Sequence, residues 1–109
     1  PGGGMMPALE IQRLACLSTA HLPLDVARQL DAIVGAAVPV PAAEDSWHSL
    51  IVAERWREYG WWIWVASDGR DRMLEPLRLC LGAAEAAGAD WLQFDRDCEP
   101  IADLPTHDW

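Results

Sequence analysis

Tyr59-Gly60-Trp61-Trp62-Ile63-Trp64-Val65-Ala66 is the stretch that decides the fold. Aromatic and β-branched side chains dominate it, and such residues fit the pleated surface of a sheet better than a helix. Strand alternation sends Trp61, Ile63 and Val65 to one face and Trp62, Trp64 and Ala66 to the other, so both faces are apolar. Just upstream, Leu50 to Trp56 is a second β-favouring run. The few polar residues between the two predict a hairpin.

Outward from the hairpin, the pattern changes period. Val26, Leu30, Ile33 and Val34 recur at helical spacing after Pro23, with Gly35 placed as a stop, which predicts a helix over 23–34. Leu74, Leu77, Leu81 and Ala84 form the stripe of a second helix that has Pro76 in its first turn and ends by Gly88. Asp68-Gly69 makes the turn before it. Ala36 to Asp45, broken by Pro39 and Pro41, reads as a connecting loop.

Two further strands complete the set. Leu9 to Leu17 is an apolar run with the character of a central strand, and Trp91 to Asp95 a last short strand with Leu92 and Phe94 on one face. The order β-α-β-β-α-β is the split arrangement of ferredoxin-like domains. The expected fold class is therefore α+β, a two-layer sandwich of two helices on a four-stranded antiparallel sheet, followed by an irregular acidic C-terminal tail. Helices cover one face of such a sheet, which leaves Trp62, Trp64 and Trp91 on the other as an interaction face. The rival is that Trp47, Trp56 or the tail with Trp109 folds over that face and buries it as ordinary core.

At 109 residues, 51% of them hydrophobic and 23% charged, the chain has the size and composition of one soluble domain over residues 7–109. Residues 1–6, opening Pro1-Gly2-Gly3-Gly4, read as a cloning scar and start, with no export signal after them. Cys16, Cys80 and Cys98 are odd in number and lack a C-x-x-C pair, so no disulfide framework, metal site or cofactor is expected, and the cytoplasm is the expected compartment. Cys16 and Cys80 fall in predicted core elements, leaving Cys98 as the exposed thiol. A net charge of −9 argues against direct binding to nucleic acid or anionic membrane and in favour of a basic protein partner. All eight basic residues are Arg, so Schiff-base lysines and phosphate-loop lysines are excluded from this chain.

Candidate chemistry is thin. Ser18, Thr19 and His21 follow the first strand, and Asp95, Arg96 and Asp97 the last. Thr106, His107 and Asp108 lie further along. A serine, histidine and aspartate can make a nucleophilic triad, yet no known catalytic spacing is present, and each residue can instead cap a turn or bond to backbone. Asp95, Asp97, Glu99, Asp103 and Asp108 form an acidic surface against Arg96. The reading that follows is a non-catalytic acidic protein-binding domain, a homodimer through its aromatic face, acting on a basic partner. Two rivals stay open. One is a DNA-mimicking inhibitor of the anti-CRISPR or antirestriction type, and the other a small hydrolase or metal-dependent enzyme that uses His21 and His107.

The segments Leu17-Ser18-Thr19-Ala20-His21, Tyr59-Gly60-Trp61, Gly88-Ala89-Asp90-Trp91, Phe94-Asp95-Arg96-Asp97 and Leu104-Pro105-Thr106-His107-Asp108-Trp109 together resemble a family of small uncharacterised bacterial proteins. The similarity spans nearly the whole chain, and members of that family are often carried on plasmids, phages and other mobile elements. The resemblance implies a role in conflict between mobile DNA and its host. It brings no established activity, cofactor or catalytic residue.

Overall fold

The computed structural model describes residues 9–35, 51–67 and 69–108. Its elements are β1 (Leu14–Ser18), a 3-10 turn (Thr19–His21), α1 (Leu24–Gly35), β2 (Ala53–Trp56), β3 (Gly60–Trp64), a second 3-10 turn (Arg70–Arg72), α2 (Glu75–Ala86) and β4 (Trp91–Asp95). The β-α-β-β-α-β order is thus as the periodicity predicts. The expected scar at 1–6, the loop from Ala36 to Asp45, Trp47, the start of the hairpin strand at Leu50, Asp68 of the expected turn, and Trp109 lie outside the described residues.

The sheet departs from the expected arrangement. Its strand order is β1-β4-β3-β2, and β1 runs parallel to β4 while β4, β3 and β2 alternate in direction. The sheet is therefore mixed rather than antiparallel. A ferredoxin-like sheet sets the first strand inside; here β1 is an edge strand and β4 lies inside. The physical reason is visible in the side chains. Both inner strands bury their helix-side residues completely or nearly so, with Trp61, Ile63, Leu92 and Phe94 at 4% exposure or less, whereas on β1 the helix-side Ala15 is only half-buried. A parallel start is fixed by Arg13, whose carbonyl accepts from the N–H groups of Asp90 and Trp91 at 2.8 and 3.0 Å. The Arg13 N–H in turn donates to the Asp90 carboxylate at 2.9 Å.

Gly60 sets how closely β3 and β4 approach. A Cβ at that position would lie 1.8 Å from the Phe94 carbonyl oxygen, so no other residue fits without moving the central strand pair. On the helix side the core joins Leu17, Val26, Leu30, Trp61, Ile63, Leu77, Leu81, Leu92 and Phe94. α1 enters it through Val26 and Leu30. α2 enters through Leu77, Cys80, Leu81 and Ala84, a stripe at the helical period. Pro76 sits in the first turn of α2, where its missing N–H costs nothing, and Gly88 takes φ +84° just beyond the last turn.

Candidate functional site on the helix-free face

Strand register arranges the uncovered face in three rows. The first holds Trp56, Gly60, Asp95 and Ser18; the second Glu54, Trp62, Gln93 and Cys16; the third Trp64, Trp91 and Leu14. Trp62, Trp64 and Trp91, the predicted interaction face, stand there half-buried, and Trp56 joins them. The rings pack in two pairs. Trp56 stacks on Trp62 with centroids 4.9 Å apart and planes 24° apart, a diagonal cross-strand contact. Trp64 meets Trp91 edge to face, also at 4.9 Å.

Polar groups hold these rings in place. Because Gly60 puts no side chain in the middle of the first row, the Trp56 indole crosses β3 and donates to the Asp95 carboxylate at 3.2 Å. Trp62 donates to the Gln93 side-chain oxygen at 2.6 Å, and Trp91 to that of Gln12 at 2.6 Å. Gln93 links the rows by donating to Asp95 at 3.4 Å and to the Cys16 sulfur at 3.6 Å. Trp64 makes no such bond among the described residues. Trp56, one of the residues the sequence offers as a cover for this face, thus stacks on it, whereas the two glutamines look like ordinary surface residues and carry no signal.

The third row is the apolar end of this face. Val52, whose carbonyl accepts from the Trp64 N–H at 2.9 Å, extends it beyond β2. Val52 is 49% exposed. The row thus runs Val52, Trp64, Trp91, Leu14 across the width of the sheet with no charge in it. By contrast the first row ends in charge: Arg57 lies 5.8 Å from the Trp56 ring.

The predicted polar cluster is brought together only in part, and as structure. Ser18 caps the turn after β1, its hydroxyl accepting from the Ala20 N–H at 3.1 Å. His21 is 2% exposed, and both of its ring nitrogens are engaged by the tail. Nδ1 donates to the Pro105 carbonyl at 2.8 Å, and Nε2 accepts from the Ile101 N–H at 3.0 Å. This pairing requires the neutral ring with its proton on Nδ1. The His107 N–H donates to the Ala20 carbonyl at 2.8 Å, so the tail is fastened on both sides of His21. His21 and His107 line one cavity of about 360 Å³, whose wall is mostly apolar, from Pro76, Leu79, Cys80 and Leu104, with Glu75 also on it. Thr19 lies apart from them, on a second cleft.

Residues 96–108 form neither helix nor strand. Among the acidic residues, Asp97, Glu99, Asp103 and Asp108 are exposed. Asp95 is half-buried and committed inward, its second oxygen accepting from the Asp97 N–H at 2.9 Å.

The cysteines correct one expectation. Cys16 is exposed rather than buried, because alternation along β1 turns Leu17 to the core and Cys16 to the open face. Partial burial of its thiol, a hydrogen bond with Cys98, and the neighbouring Cys98 and Asp95 push the Cys16 thiol up to about 11. Cys98 is half-buried, and Cys80 is in the core, where burial pushes its thiol up to about 12. Among the described residues, no three His, Cys, Asp or Glu side chains come together as ligands for a metal ion, and no helix is long and apolar enough to cross a membrane.

A family model described as the C-terminal domain of a family of unknown function, DUF5983, matches residues 14–109, from the first residue of β1 through the tail. The chain belongs to this family. Everything from β1 through the His21 clamp therefore lies within the DUF5983 domain. Searches of the curated proteins and of the solved structures returned no match to the chain.

Proposed function

We propose that this DUF5983 domain is a non-catalytic protein-binding module. It pairs with a second copy through the apolar row of its helix-free face and offers its exposed tail carboxylates to a basic partner. The observation that carries the reading is that row: Val52, Trp64, Trp91 and Leu14 stand side by side without a charge, and the Trp64 indole N–H is unspent among the described residues. Tryptophans on a rigid sheet supply binding energy at little entropic cost, and here hydrogen bonds to Asp95, Gln93 and Gln12 orient three of the four rings in advance. The engagement of Ser18 and His21 with backbone supports a module without a nucleophile or base at that end of the sheet.

Size sets the strength. Four strands about 4.8 Å apart and five residues long, at about 3.3 Å per residue, span roughly 19 by 17 Å, below the ~800 Å² per partner of a standard interface. Two copies that each carry −9 also repel. The self-contact is therefore weak and concentration-dependent, and tightens with salt, while contact with a basic partner loosens with salt.

Light scattering over a concentration series tests the first part. The mass should rise towards the dimer as concentration and salt increase, and Trp64→Arg with Leu14→Arg should hold it at the monomer value with an unchanged circular dichroism spectrum. A wild-type mass fixed at the monomer under all conditions refutes the pairing. Binding of an arginine-rich peptide at low salt, lost when Glu99, Asp103 and Asp108 are neutralised to amides, tests the second.

A further inference from the structure

A second site lies at the end of the sheet where β1, β4 and β2 terminate. These three strands run in the same direction, so their C-terminal ends lie in one row at Ser18, Asp95 and Trp56, and α1 departs from the same end. Between α1 and the turn joining β2 to β3 this end opens into a cleft of about 240 Å³. Of these strands only β1 leads on to a helix, α1, which supplies Leu24, Ala27, Arg28 and Asp31 to the cleft.

The charge of the cleft is opposite to that of the protein. Arg28, Arg55 and Arg96 all line it, three of the eight basic residues in a chain of net charge −9. Two carboxylates are also present. Asp31 is spent internally, since its Oδ1 accepts from Arg55 and from the Trp61 indole, the latter at 3.1 Å. Glu58 stands exposed at the rim. Arg96 lies over the Tyr59 ring rather than against a carboxylate. Arg28 makes no hydrogen bond or ion pair among the described residues. Two guanidinium groups are thus left to share one rim carboxylate, with the hydroxyls of Thr19 and Tyr59 beside them. Leu24, Ala27 and the buried Trp61 give the cleft an apolar wall, which strengthens any ion contact made against it.

We propose that this cleft binds the dianionic phosphoryl group of a phosphate monoester, held by Arg28 and Arg96 with Thr19 and Tyr59 donating, while the organic part of the ester rests on Leu24 and the Tyr59 ring. The donor count selects the class. A carboxylate offers two oxygens and is satisfied by one guanidinium fork, whereas a phosphoryl group offers three and can accept from both forks and a hydroxyl at once. The site is separate from the tryptophan face, on the helix-covered side of the hairpin, and does not depend on the protein-binding reading.

Calorimetric titration at low salt, supported by NMR of the arginine side-chain N–H groups, tests this with inorganic phosphate, phenyl phosphate and acetate as the probes. Inorganic phosphate and phenyl phosphate should both bind saturably, the ester more tightly, and acetate at least tenfold more weakly. Arg28→Gln with Arg96→Gln should reduce phosphate binding tenfold or more. Glu58→Gln should strengthen it, and Trp64→Arg should leave it unchanged. Arg28, Arg96 and Glu58 are exposed, so these variants keep the fold, and Arg28→Gln alone gives a second reading. Absence of saturable binding, acetate binding as tight as phosphate, or a double variant that binds as well as wild type overturns the proposal.

Discussion

His21→Ala tests how the tail is held. The ring fills a site at 2% exposure and bonds the Pro105 carbonyl and the Ile101 N–H, both more than 79 positions away in sequence. Each bond is worth about 0.5–1.5 kcal/mol net, and exchanging the buried ring for a methyl removes roughly another 1–2 kcal/mol of apolar contact. The tail should therefore lose about 2–5 kcal/mol of its attachment, which is about a 30- to 5,000-fold rise in the fraction detached. Hydrogen exchange reads this directly at two amides, Ile101, which donates to His21, and His107, which donates to Ala20. Both should exchange faster by that factor, with a matching fall in the urea midpoint if detachment and global unfolding are one event. His21→Gln, whose amide can also donate and accept, should recover part of the protection. Unchanged exchange at Ile101 and His107 in His21→Ala would refute the clamp.

Three other outcomes are expected. Gly60→Ala should destabilise by about 3 kcal/mol or more in urea unfolding, because its methyl meets the Phe94 carbonyl at 1.8 Å on an inner strand; a variant as stable as wild type counts against the strand packing described. Gly82→Ala should stabilise by about 0.5–1 kcal/mol and raise Tm by roughly 2–6 °C, since the new methyl lies 3.8 Å from an Arg70 nitrogen in ordinary contact and the helix no longer carries a mid-helix glycine; a lower Tm refutes this. Cys16, with its thiol at about 11, should react with iodoacetamide at pH 8 about two orders of magnitude more slowly than a free thiol and gain about tenfold per pH unit up to about 11. Cys80 should label only in denaturant, and labelling of Cys16 at the free-thiol rate would remove the basis for its raised value.

Periodicity made some features legible and left others hidden. The hairpin, α1, α2 and the Trp91–Asp95 strand fall where their patterns place them, because burial on one face writes a period of 2.0 or 3.6 directly into the chain. Trp62, Trp64 and Trp91 could be assigned a common face for the same reason. Which strand neighbours which leaves no such trace. The apolar run ending in Leu14-Ala15-Cys16-Leu17 looks like a buried strand, and only its pairing with β4 alone shows that it has an edge position. The tail contacts of His21 were equally illegible, since a lone histidine after a strand has the same appearance whether it bonds its neighbours or residues 80 positions on. The Arg28, Arg55 and Arg96 cleft brings together three segments that carry no shared motif.

The parallel pairing of β1 with β4 joins the first strand to nearly the last element, and the His21 contacts add Ile101 and Pro105 to the same junction. During synthesis the N-terminal part of this domain therefore has no finished sheet to join: β1 must wait, with Leu17 uncovered, until residues 91–105 have left the ribosome. The hairpin and α2 can form before then, because their contacts are local. The fold is thus completed by its end, and a chain interrupted before Trp91 would be left with an unpaired apolar strand that invites chaperones and aggregation.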